Sequence, residues 1–218
     1  ASASDELPEQ SAVAPHAAAR RRALSERFKG ERLVIPAGPL KVRSNDTDYR
    51  FRPHSGFAHL TGLGLDHEPD AVLVLEPVEE GKGDDGGHHT ATLYFRPLAG
   101  TDNEEFYSNA RYGAFWIGSR MNLEQVSALV DLPTRDLSEA ETAITSNVGD
   151  PQFGGISVRL LRKVDEMVDA LVDTVRYNTA MDPENMDFSA LDARDEELTE
   201  ALSELRLVKD AWEVEQMR

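Results

Sequence analysis

Residues 46–75 read DTDYRFRPHSGFAHLTGLGLDHEPDAVLVL, and the end of this stretch decides the fold. Ala71-Val72-Leu73-Val74-Leu75 is an unbroken apolar run rich in valine. Without polar alternation it predicts a strand buried on both faces. The preceding His67-Glu68-Pro69-Asp70 is a turn, because the proline disfavours helix at Glu68. Earlier still, Phe51, Ser55, Phe57, Leu60 and Thr61 outline a short helix. Ser55 is its candidate cap, and Gly62 its candidate left-handed terminator.

Working outward, Glu79–His89 (EEGKGDDGGHH) has the composition of a mobile hairpin loop. Thr90–Phe95 then predicts a strand antiparallel to 71–75. Adjacent His88 and His89 beside Asp84 and Asp85 invite a metal reading, but a glycine-rich loop tip offers no scaffold to fix ligand geometry. Upstream, residues 1–15 are small, polar and proline-punctuated and read as a disordered or lightly docked arm. A helix is expected from His16 to Gly30, with Arg20-Arg21-Arg22 as a solvated face. Leu33–Pro36 predicts the first strand, and residues 48–52 another.

Downstream, Asn103 is a candidate cap for a short helix over 104–107. Arg111–Gly118 (RYGAFWIG) is the most aromatic stretch of the chain. Residues 122–129 predict a helix with Leu123, Val126 and Leu129 on one face. Ser138 and Glu141 have capping-box spacing and predict a short helix to about Thr145. Apolar positions from Ile156 to Tyr177 predict one long helix. Residues 181–193 read as irregular and acidic, and 196–205 as helical. Asp210 and Glu213 have the spacing of a second capping box. The result is an α/β fold with a mixed β-sheet flanked by helices.

The chain has 218 residues, 40% apolar, with a net charge of -17 and no cysteine. That length supports one sizeable core. The charge argues against nucleic acid and against an anionic membrane surface, both of which would repel it. Absence of cysteine removes disulfides and thiolate metal sites, and favours a reducing, cytoplasmic setting. No run reaches the roughly 18 apolar residues of a membrane span. Hydrolase, P-loop and dinucleotide motifs are missing from the sequence. His54 and His59 stand ~140° apart on a helix and do not make a joint metal site.

Tyr49-x-Phe51-Arg52-x-x-Ser55-x-Phe57-x-x-Leu60-Thr61-Gly62, followed by Glu68-Pro69-Asp70-Ala71-Val72-Leu73-Val74-Leu75, resembles the amino-terminal domain of the Xaa-Pro aminopeptidases (aminopeptidase P). The resemblance runs from about Ala17 to Arg218. It implies a ribonuclease-H-like topology, with residues 1–15 as an arm, 16–205 as the domain, and 206–218 as a linker and first helix. Leu205–Arg218 resembles the junction with the family's pita-bread catalytic domain. There, two Asp, one His and two Glu hold two divalent metals, usually Mn2+, and a bridging hydroxide attacks the bond before proline.

The resemblance thus implies a non-catalytic domain with no cofactor of its own. Its partners would be its catalytic domain, other copies in a homo-oligomer, and a proline-containing peptide. Phe115-Trp116-Ile117-Gly118-x-Arg120 resembles the segment whose tryptophan lines the substrate pocket, with an insertion after Glu105. Asp46 matches an acidic loop position near the substrate, and Arg176 an arginine near the pocket. Plainer readings stand beside these: a core aromatic, an Asx-turn aspartate, and a charge closing a helix C-terminus. Two further readings remain open. One is a catalytically dead relative whose acidity suits a basic peptide or protein partner; the other is the same domain of a proline dipeptidase.

Overall fold

The computed structural model describes residues 6–39, 53–64, 70–97, 121–207 and 215–216. Three strands form an antiparallel meander: β1 (Glu31–Pro36), β2 (Val72–Pro77) and β3 (His89–Phe95). Val34 pairs with Val74, and Val74 with Thr92. Two short parallel strands extend the sheet, β4 (Thr134–Asp136) beside β3 and β5 (Ser157–Leu160) beside β1. The order is β4-β3-β2-β1-β5, a mixed sheet. The predicted hairpin and first strand are therefore present. The expected strand at 48–52, the 67–69 turn, the 104–107 helix, the aromatic stretch and the Asp210 box lie outside the described residues.

Period-two alternation sends leucines to one face and valines to the other. Leu33, Ile35, Leu73, Leu75, Leu93 and Phe95 form the larger core. Its helical cover is α1 (Ala14–Arg27), α2 (Pro53–Thr61), α3 (Leu123–Val130) and α6 (Phe188–Leu207). Val34, Val72, Val74, Val158 and Leu160 meet α4 (Ala140–Thr145) and α5 (Glu166–Thr179) on the opposite face. Each fully buried aliphatic side chain contributes about 1.5–3 kcal/mol, so the leucine face carries most of the burial.

Local chemistry fixes the helix ends. Asn122 and Gln125 form a reciprocal capping box at the start of α3. Gly62 ends α2 at φ +81, as expected, and a Cβ there would lie 2.6 Å from the Val13 side chain. Ser55 is not the α2 cap, since the helix already begins at Pro53. Nor is Ser138 a cap for α4. Asp136 accepts from the Ser138 amide and starts a single 3-10 turn that leads into the helix.

The long helix expected over 156–177 is instead β5, a turn and α5. Ile156, Val158 and Leu160 also satisfy a period of two. Lys163 then takes φ +67, and Asp165 caps α5 by accepting from the Met167 and Val168 amides. The acidic segment 181–193 is not irregular throughout: α6 begins at Phe188, and Asp187 accepts from the Ala190 amide. Arg20 and Arg21 are not solvated either. They are 9% and 7% exposed and donate to the His59 and Leu60 carbonyls, satisfying the free C-terminal carbonyls of α2.

One charge crosses the small core. Arg32, 2% exposed, forms a two-bond fork with Glu76 at 2.6 and 2.8 Å. Its third nitrogen donates to the Ile144 and Ser146 carbonyls. This ties β1, β2 and the end of α4 together.

Candidate functional site

Two polar clusters are built deeply enough to be candidates. The first surrounds Asp195, which α6 carries to the outer flank of β5. β5 is an edge strand, and Val158 and Leu160 turn their backbone groups away from β1. Asp195 Oδ1 accepts from the Leu160 amide at 3.0 Å, and Arg176 Nη2 donates to the Val158 carbonyl. Arg176 also forks onto Asp195 at 2.8 and 2.9 Å. Arg162 donates to Asp195 at 2.7 Å and pairs with Asp173. Asp195 is 1% exposed, so its charge is fully compensated by these donors. The hydrogen bond to Asp173 is the main cause raising the Arg162 pKa above its ordinary value.

Beside this cluster, Arg159 links Glu31 at 2.7 Å to Glu197 at 2.8 Å and lies 5.1 Å over the Phe28 ring. Arg194 adds a second contact to Glu31 at 3.0 Å. These carboxylates are engaged by guanidiniums and tie β1 and β5 to α6.

The second cluster is a serine–histidine pair. Ser25 Oγ donates to His89 Nδ1 at 2.6 Å, and His89 Nε2 donates to the Glu31 carbonyl at 2.7 Å. A nucleophile and base within hydrogen-bond reach would fit acyl transfer. Here both residues are buried, and the adjoining cavity of about 20 Å³ is water-sized, far too small for a substrate. The pair is a structural joint. Its presence also corrects the reading of 79–89 as a mobile loop. Asp84–Gly86 forms a 3-10 turn, His88 and His89 are buried, and Asp84 accepts from the Ala91 amide.

Of the residues expected at a substrate pocket, Arg176 lies in the Asp195 cluster. Asp46 and Trp116 lie outside the described residues. Among the described residues no three His, Asp or Glu side chains converge to hold a metal ion. Sequence reasoning missed Asp195, Arg162 and Ser25. The Asp187 cap and the i, i+3, i+7 row Asp195, Leu198 and Leu202 were the available signals for an inward-facing α6.

Among the described residues, the fold is a mixed sheet with helices on both faces, and its buried polar clusters brace strands against helices. The chain matches the family "Aminopeptidase P, N-terminal domain" over residues 17–152, and it belongs to that family. It is 42% identical over 205 residues to Xaa-Pro aminopeptidase 2 of Streptomyces coelicolor, covering 94% of this chain and 37% of that protein. Against Xaa-Pro aminopeptidase 1 of the same organism identity is 40% over 208 residues, 95% of this chain and 36% of the relative. The chain therefore spans little more than a third of the length of these relatives. The solved proline aminopeptidase P II from Yersinia pestis shares the fold, with a TM-score of 0.55 at 20% identity over 92% of this chain and 41% of that one. Among the described residues no helix is long and apolar enough to cross a membrane.

Proposed function

We propose that this chain serves as the non-catalytic N-terminal domain of a Xaa-Pro aminopeptidase, an enzyme that removes the N-terminal residue preceding proline. The observation that carries the reading is 40–42% identity to two Xaa-Pro aminopeptidases across nearly the whole chain. The bracing role of its polar clusters supports it. Two divalent metals, Mn2+ by family resemblance, would be held by a catalytic domain and not by these residues. The domain's work is to help assemble a homo-oligomer in the cytoplasm and to shape the peptide pocket. Trp116 presents an indole face to the proline ring, and Asp46 meets the substrate end. Arg176, with its guanidinium committed to Asp195 and Val158, acts as a positioning residue.

The test is cleavage of Xaa-Pro peptides, with manganese added, by the 218-residue chain alone and by the chain joined to a pita-bread domain. Turnover by the joined protein only, with kcat/KM reduced in Trp116→Ala, supports the reading. Turnover by the isolated chain overturns it. A joined protein without turnover that still binds basic peptides favours the acidic binding module instead.

A further inference from the structure

The connection between β2 and β3, residues 78–88, is docked on α1 through the Ser25 hydroxyl, the Arg22 guanidinium, which donates to the Asp85 carbonyl at 3.3 Å, and Glu26, which meets His88 Nε2 at 3.2 Å; Ser25 is the buried contact of the three. Ser25 Oγ accepts from the His88 amide at 3.1 Å while its hydrogen is given to His89 Nδ1 at 2.6 Å. His89 Nε2 faces the Glu31 carbonyl and must carry a hydrogen, so in the neutral ring Nδ1 is the acceptor. One ring nitrogen donates and the other accepts, an arrangement available only to neutral imidazole. We infer that Ser25 and His89 form an acid-sensitive latch, which holds the β2–β3 connection on α1 while His89 is neutral and releases it when the ring takes a second proton.

A proton on Nδ1 would aim a second donor at an oxygen that already receives the His88 amide. The Ser25 hydroxyl would have to turn into the water-sized cavity, which Arg21, Arg22, Asp84 and Asp85 also line. The new positive charge would lie in a ring 2% exposed. Little compensates it. From β1, Glu31 is taken by Arg159 and Arg194; from β2, Glu76 is taken by Arg32. From α1, Arg21 and Arg22 are themselves cationic, and in the connection Asp84 and Asp85 are exposed to water. Burial accordingly holds the His89 pKa below the ordinary imidazole range. His88 faces a carboxylate instead, its Nε2 meeting Glu26 at 3.2 Å. The docked state is therefore fully favoured above the ordinary imidazole pKa of about 6.5 and weakens as pH falls through the window below it.

Amide hydrogen exchange of residues 78–88 in the full chain, expressed as protection factors from pH 7.5 to 5, tests the latch. One linked proton predicts a fall of up to about tenfold per pH unit below about 6.5. His89→Gln should abolish this slope, and His88→Gln should leave it. Ring nitrogen NMR of the unmodified chain should show a single Nε2–H tautomer at pH 7, and it decides the matter if the His89 variant does not fold. A doubly protonated His89 with full protection at pH 5, or a slope that survives in His89→Gln, overturns the inference.

Discussion

Replacing Asp195 by alanine isolates the most deeply buried ion cluster among the described residues. Asp195 is 1% exposed, and its partners Arg176 and Arg162 are 9% and 18% exposed at their side chains. Asp173 and Asp192 still hold Arg162 after the substitution. The loss therefore falls on Arg176, whose buried charge keeps only the Val158 carbonyl, and on the Leu160 amide, which loses its acceptor. An orphaned buried amide costs about 1–3 kcal/mol, and breaking one side of a buried ion pair about 3–5 kcal/mol in total. With a urea m-value of about 3 kcal/mol/M for a domain of this size, the midpoint should fall by about 1–1.7 M. Asp195→Asn keeps an acceptor for the Leu160 amide and should lose about half as much. Asp173→Ala, at a site 44% exposed, should cost about 1 kcal/mol or less. Equal small losses for Asp195→Ala and Asp173→Ala would show that the β5 flank is held by apolar packing alone, and the electrostatic argument would fail.

Other outcomes can be checked in the same denaturation assay. Gly62→Ala should cost about 1–2 kcal/mol, because φ +81 strains an L-residue and its Cβ meets Val13; a neutral result would mean that the α2 end relaxes freely. Asp169 has its pKa raised, chiefly by burial. The folded state thus binds that proton more tightly than the unfolded chain, and stability is lost as pH rises above the ordinary carboxylate range of about 3.9. Asp169→Asn should raise the urea midpoint at pH 7 and lose its advantage below about pH 4; an unchanged midpoint at pH 7 would contradict the assignment.

What the sequence made legible follows from periodicity. The β2–β3 hairpin was readable because an unmixed apolar run and a glycine-rich connection allow few alternatives, and α3 because Leu123, Val126 and Leu129 fall on one helical face. β5 and α5 fused into one predicted helix because Ile156, Leu160, Leu161 and Val164 satisfy both a helical and, in part, an alternating pattern. Only the Asp165 cap separates them. β4, three residues long, has no pattern of its own and exists by pairing with β3. Arg20 and Arg21 read as solvated because charge is normally exposed; their role depends on α2, whose carbonyl end arrives from 39 residues away. The clusters at Asp195 and Ser25 join segments distant in sequence, and no local spacing announces such contacts.

The closed flank of β5 governs how this domain meets others. Its exposed main-chain positions are already occupied by an aspartate and an arginine, so a foreign strand cannot add there without first dismantling the ion cluster. A neighbour approaching that side must bind through side chains, and a stray extended polypeptide finds no template on which to grow.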